Sequence, residues 1–306
     1  MATQSNTTEH TINSTFMGMP GSQYPQQAKA LILGIPYDCG SDPERTGARQ
    51  GPQSIRRQSA LISHYCGNTG INPIEHLQML DLGDVAVDID SIEKTYSAIE
   101  AAMGQAIGNG GVPITLGGDG SVALPQMRAL AKQYPDLVVL HLDAHTDAYP
   151  LQEFSNATPF THAVKEQLIN PHCSFHIGRR GSHFVPGVAD YCRELGYNLI
   201  DMQELLHRGI GDVFKQVHSC IGNKPVYLCF DMDFFDPSVA PGVCSPTFGG
   251  ASAREGLQII HACKGLNIVG ADINTISPPH DPQGVSALLA ANIVYEIMLL
   301  LAENNP

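Results

Sequence analysis

A chain of 306 residues with 43% hydrophobic side chains can bury a sizeable core, and 17 Lys and Arg against 30 Asp and Glu give it a formal net charge of −13. A surface of that sign repels phosphate backbones, so nucleic acid is not an expected partner, and it attracts cations, guanidinium compounds among them. The eight cysteines contain no C-x-x-C pair, no apolar run approaches the length of a membrane span, and the N-terminus lacks an apolar signal-peptide core, so a cytoplasmic chain with reduced thiols and no membrane partner is expected.

Residues 1–27, rich in Ser, Thr, Asn and Gln, read as a polar arm ahead of a single domain over 28–306. The pattern then changes. An apolar run predicts a strand over Ala30–Ile35, and helical period predicts helices over Pro52–Ser63 and Ile92–Ile107. The strand predicted at Val112–Leu116 runs into Gly117 and Gly118, a tight turn from which Asp119 or Ser121 caps a helix over Val122–Tyr134. Without the Lys-Ser/Thr of a P-loop, that turn reads as structural rather than as a phosphate cradle.

A buried strand is predicted over Leu137–Leu142, and Asp143, His145 and Asp147 follow it at i, i+2 and i+4. On extended backbone all three point to one side, and two carboxylates with an imidazole suit a divalent first-row metal. Strands over Ser174–Ile177 and Tyr197–Ile200 then alternate with helices over Val185–Leu195 and Met202–Cys220. The strand Val226–Phe230 ends in Asp231 and Asp233, which share a face while Met232 looks away. Two such carboxylates repel each other unless a cation neutralises them. Asp236, before Pro237, reads as a turn residue. A helix over Arg254–Cys263, a strand over Ile268–Ile273 and a helix over Val285–Ala302 complete the chain. The alternation predicts an α/β fold with a mostly parallel sheet covered on both faces, and ligand chemistry at the carboxyl ends of its strands.

Three segments carry a family resemblance. GGDGS at Gly117–Ser121, DAHTD at Asp143–Asp147 and DMDFFDPSVAPG at Asp231–Gly242 resemble the signature segments of the ureohydrolases, the family of arginase, agmatinase and guanidinobutyrase. Thr46–Arg56 is similar to that family's early loop and helix, and Gly265–Pro278 to its last-strand segment. The resemblance spans most of residues 28–302 and leans to the agmatinase branch. It implies a three-layer α/β/α arrangement around a parallel sheet of about eight strands. It also implies trimers or hexamers, and hydrolysis of a guanidino C–N bond with release of urea. The implied cofactor is a pair of Mn²⁺ ions or, in some members, Ni²⁺; two such ions, about 3.5–4 Å apart, activate one water between them. By the same resemblance Asp143 and Asp231 bridge the two ions, His145 and Asp233 complete one site, and Asp147 completes the other with a histidine from the first segment.

The chain departs from that pattern at three positions. Gly120 stands where the histidine ligand is expected, which leaves an all-oxygen second site and predicts one bound ion or none. Asn156 and Ala157 replace a His-Gly pair whose histidine shuttles protons, and an amide exchanges no proton near neutral pH. Thr275 replaces a glutamate that accepts hydrogen bonds from the substrate guanidinium, and threonine supplies no countercharge. The catalytic positions implied are thus Asp147, Asn156 and Thr275, the last two substituted. Together the losses imply a non-catalytic or weakly catalytic subunit that acts with an active paralogue in a mixed trimer or hexamer, as in metformin-hydrolase-like complexes. Two other readings stand beside it. One is an active hydrolase in which His183, His162 or His280 supplies the missing imidazole; the other is a guanidine-binding protein with no reaction. The loops around Ser155–Thr161 and Arg179–Pro186 are expected to read the tail of a small guanidino substrate.

Overall fold

Strands with apolar side chains on both faces need helices on both sides, and the computed structural model, which describes residues 15–21, 28–41 and 45–304, has that arrangement. Its strands are β1 (Ala30–Gly34), β2 (Leu80–Asp84), β3 (Val112–Leu116), β4 (Val138–Leu142), β5 (Phe175–Arg179), β6 (Asn198–Asp201), β7 (Pro225–Asp231) and β8 (Asn267–Asn274). They form one 8-stranded sheet in the order β2-β1-β3-β8-β7-β4-β5-β6, each neighbouring pair parallel. The helices are α1 (Gly51–Ser59), α2 (Pro73–His76), α3 (Ile92–Gly108), α4 (Ala123–Gln133), α5 (Pro159–Lys165), α6 (Val188–Glu194), α7 (Met202–Arg208), α8 (Ile210–Ile221), α9 (Ala253–Ala262) and α10 (Val285–Asn304).

Strand alternation divides the core in two. Val138, Leu140 and Leu142 of β4 pack in one cluster with residues of α1, α7, α8, α9 and α10, while Val139 packs in the other with α3, α4, α5 and α6. This is the three-layer α/β/α architecture that the resemblance implies. β8 and β7 lie between β3 and β4, which are consecutive along the chain. That insertion brings the carboxyl ends of β3, β8, β7 and β4 side by side in the middle of the sheet.

Several details differ from the sequence reading. β2 is short, acidic and carries Gly83, so its pattern is weak; as an edge strand it tolerates polar residues. The helix predicted over Met202–Cys220 is two helices, broken at Gly209, whose backbone adopts φ 80° and ψ 151°. The short helices α2 and α5 carry too few turns to show a helical period. α10 is long and apolar enough to cross a membrane, contrary to the expectation that no run approaches that length. Most of it is buried, and it packs on α1, α9 and β8 as the central helix of one layer. Part of the N-terminal arm also packs on this chain. Phe16, Met17 and Met19 are buried, the Phe16 N–H donates to Asp81 Oδ2 at 2.7 Å, and Arg56 grips the same carboxylate at 2.8 Å. Residues 1–14 and 22–27 of the arm lie outside the described residues.

Candidate metal centre

The β3 strand ends in Gly117 and Gly118, both with positive φ, and Asp119 Oδ1 accepts the Ser121 N–H at 3.0 Å to start the turn that leads into α4. Gly120 sits in that turn. A Cβ built there would lie 2.8 Å from Asp147 Oδ2 and 3.3 Å from the Asn156 carbonyl oxygen, so the position faces the other candidate residues directly.

After β4, Asp143 extends the sheet pairing by one residue, its N–H donating to the Ile177 carbonyl at 3.1 Å. The chain then bends. Asp143, His145 and Asp147 converge through this bent loop and not along an extended strand: the His145 N–H donates back to Asp143 Oδ1 at 2.6 Å, and Asp147 takes φ 46°. Asp231 and Asp233 likewise meet through a 3-10 turn, Met232–Phe234, in which the Asp233 N–H donates to Asp231 Oδ1 at 2.7 Å. Asp236 is the turn residue expected, accepting N–H groups from Ser238, Gly249 and Gly250.

The two loops interlock. The Ala144 N–H donates to Asp233 Oδ1 at 3.1 Å, and His145 Nδ1 lies 3.2 Å from Asp143 Oδ1 and 3.1 Å from Asp233 Oδ2. Asp143, His145 and Asp233 thereby place one ligand atom each within 4.8 Å of one another. Asp231, bonded to the Asp233 N–H, lines the same cavity as His145 and Asp233. Its Oδ1 also accepts the Thr275 hydroxyl at 2.5 Å. Thr275, with φ 65°, immediately follows β8. Its hydroxyl is therefore committed to a carboxylate of the cluster.

Asp143, Asp147, Asp231 and Asp233 are all buried, and for Asp147, Asp231 and Asp233 burial is the first cause of a displaced titration. Burial and then Asp143 hold Asp147 well above the usual carboxylate range; burial, Asp233 and Asp143 do the same to Asp231. Burial and Asp143 push Asp233 up to about 6, against the lowering effect of His145. Burial opposes the charge on His145, but Asp233 and Asp143 override it and raise the imidazole well above its ordinary value. Four crowded carboxylates with the His145 imidazole among them, and His141 beside Asp143 and Asp147, make a mainly oxygen donor set that a divalent cation fits. Asp143 Oδ2 supports the fit. It is buried, lacks a hydrogen-bond partner among the described residues, and lies 3.0 Å from His141 Nε2.

His141 is the residue that the sequence reading missed. It offers a ligand atom within 4.8 Å of those of Asp143 and Asp147. The period of two that groups 143, 145 and 147 reaches it one step further back, inside the strand, where it reads as part of the core. Its register partner on β5 is His176, and the two Nδ1 atoms are 2.8 Å apart. Burial lowers the first imidazole to about 3 and the second well below its usual value, so both are neutral. Of the histidines proposed as substitutes, His162 packs on the Phe154 ring from α5 and His280 bonds Ser277 Oγ at 2.9 Å; neither lines the cavity. His183 lies between two residues that do line it, with Nδ1 3.2 Å from the Tyr149 hydroxyl and Nε2 3.2 Å from Arg179.

The carboxylates open into a cavity of about 450 Å³. His145, Asp147, Asp231 and Asp233 line it, and so do all three departing positions, Gly120, Asn156 and Thr275.

The model of the family described as "Arginase family" matches residues 28–300. The mitochondrial agmatinase of Gallus gallus is 34% identical over 290 residues, 94% of this chain and 85% of that protein. The guanidinobutyrase of Pseudomonas aeruginosa is 34% identical over 294 residues, 94% of this chain and 92% of that one. The solved structure of the proclavaminate amidino hydrolase from Streptomyces clavuligerus matches with a TM-score of 0.90 at 32% identity, covering 94% of this chain and 97% of that one.

Proposed function

Because the chain belongs to the arginase family, we propose that it is a ureohydrolase-type subunit that holds a guanidino compound over a divalent-cation site, contributes little or no turnover alone, and acts with an active paralogue in urea-releasing hydrolysis of the guanidino C–N bond. The observation that carries this reading is the joint presence of Gly120, Asn156 and Thr275 on the wall of one cavity that His145, Asp147, Asp231 and Asp233 also line.

Asp143, His145 and Asp233, with Asp231, would hold one cation; Asp143 and Asp147, with the His141 imidazole beside them, would face a second at which Gly120 supplies no side chain. Divalent cations such as Mn²⁺ or Ni²⁺ in such a site activate water as a nucleophile near neutral pH. The rest falls to this chain's side chains. Asp231 and Asp233 present negative charge to a guanidinium. Asn156 can hydrogen-bond it but cannot carry a proton to the leaving amine. Thr275, already bonded to Asp231, adds no countercharge. Each missing acid–base group costs about 10²–10⁴ in rate, and groups acting together are not additive.

The test is direct. The purified chain, supplied with Mn²⁺ or Ni²⁺, is assayed for urea release on a panel of small guanidines, with metal counted per chain. Turnover below about 1 s⁻¹ and fewer than two ions per chain are expected. Activity should appear when a ligand-complete paralogue is co-expressed and co-purifies in a trimer or hexamer. A second reading, an active hydrolase with a rearranged site, is favoured by one observation: His141 already lies against Asp143 and Asp147. Turnover above about 1 s⁻¹ by the chain alone with stoichiometric metal would establish it in place of the first.

A further inference from the structure

Above the carboxylates the cavity wall changes character. Tyr149, Leu151, Ala157 and Phe184 form an apolar side, and most of the remainder is glycine and serine. Phe184 stacks on Tyr149 with ring centroids 5.0 Å apart and planes 17° apart, yet it stays 74% exposed. Tyr149 is buried, and its hydroxyl is held by His183. The result is a stacked aromatic face on the cavity side, its Tyr149 ring held by His183.

No Lys or Arg lines the cavity among the described residues. The guanidinium groups on adjoining segments are committed elsewhere. Arg180 donates to the carbonyls of Asp233, Phe235 and Thr247, and Arg45 to those of Val243 and Cys244. Arg179 lies between His183 and Asp201. Among the described residues, the carboxylates that line the cavity are Asp147, Asp231 and Asp233, all in the cluster on the floor.

A guanidinium drawn to that floor leaves its N-substituent against the aromatic side. A carboxylate tail would meet no cation there and would feel the carboxylates below it. An ammonium tail would give up water against apolar carbon with no carboxylate beside it among the described residues except those already engaged on the floor, and a half-open ring face compensates for that only in part. A neutral alkyl tail loses nothing polar and buries its carbon on Phe184 and Leu151.

We propose that this cavity takes guanidines whose substituent is an uncharged alkyl group, a class distinct from amine-tailed and carboxylate-tailed guanidines; the assignment rests on the guanidine reading above. The test uses three tails on a four-carbon frame: n-butylguanidine, agmatine and 4-guanidinobutyrate, with unsubstituted guanidinium as the reference. Dissociation constants are measured by calorimetry on the full chain with Mn²⁺, so that no turnover is needed. Butylguanidine is expected to bind at least tenfold more tightly than either charged analogue. Each added methylene on the neutral series should gain about fourfold, the equivalent of about 0.8 kcal/mol of apolar burial. Phe184→Ala, at an exposed position, should weaken butylguanidine about tenfold more than it weakens guanidinium. Equal or tighter binding of agmatine or 4-guanidinobutyrate overturns the tail assignment and leaves the guanidine reading standing. Absence of binding by all four, guanidinium included, overturns both.

Discussion

In the function proposed above, Gly120 is the position at which a side-chain ligand is missing from the second cation site. Its φ lies outside the left-handed region, and a Cβ would meet Asp147 Oδ2 at 2.8 Å, the movable end of a side chain, and the Asn156 carbonyl oxygen at 3.3 Å, which needs to give by only a few tenths of an ångström. Gly120→His should therefore fold and should raise Mn²⁺ content from one or none toward two per chain by elemental analysis. A wild-type chain that already carries two ions would show the present account of this site to be mistaken. The residues themselves were readable because carboxylates at period two after a buried strand are rare in ordinary loops: Asp143, His145, Asp147, Asp231 and Asp233 could all be named from spacing. His141 could not, since a strand-interior histidine has the same pattern whether it faces core or ligand. Nor could the bond from Thr275 to Asp231, which joins residues 44 apart in the chain and depends on a positive φ at threonine.

At the level of elements, backbone chemistry decides where the sequence pattern misleads. The apolar period runs on from α7 to α8, but Gly209 takes a conformation close to one reserved for glycine and turns the chain. A Cβ at this position meets nothing within 4 Å. Gly209→Ala should thus destabilise the fold by about 1–3 kcal/mol through backbone strain alone. The midpoint of urea unfolding reports it, and an unchanged midpoint would mean that the two helices can merge without cost. The strands and long helices were legible to within a few residues, because both faces of a parallel sheet are covered and its strands read as continuous apolar runs. β2 was not, since an acidic edge strand with a glycine carries no such run. The carboxylate loops after β4 and β7 are bent where spacing suggests an extended tip, for side-chain spacing does not distinguish an extended tip from a bend that its own carboxylates cap.

For the molecule as a whole, the carboxylate cluster couples stability to pH. Asp147, Asp231 and Asp233 hold their protons more tightly in the folded state than in the unfolded chain. A raised folded-state value contributes stability below the unfolded value and loses it as pH rises through the folded one. For Asp233, that window runs from 3.8 to about 6, equivalent to roughly 3 kcal/mol. The metal-free chain should melt at a lower temperature at pH 8 than at pH 5.5. Mn²⁺, which requires ionised carboxylates, should restore more at pH 8 than at pH 5.5. Calorimetric melts in chelator and in Mn²⁺ at both values check this, and a cation effect independent of pH would contradict it.

The insertion of β8 and β7 between β3 and β4 also has a consequence in time. Folding cannot join the two halves of the sheet until the later strands have come between the earlier ones, so closure depends on contacts between residues 88 positions apart for β4 with β7 and 157 for β3 with β8. Until that slow step, Asp143 and Asp147 have no Asp231 or Asp233 to face. Capacity for a cation should be the last property a refolding chain acquires, which makes ion capture a clock for completion of the native state.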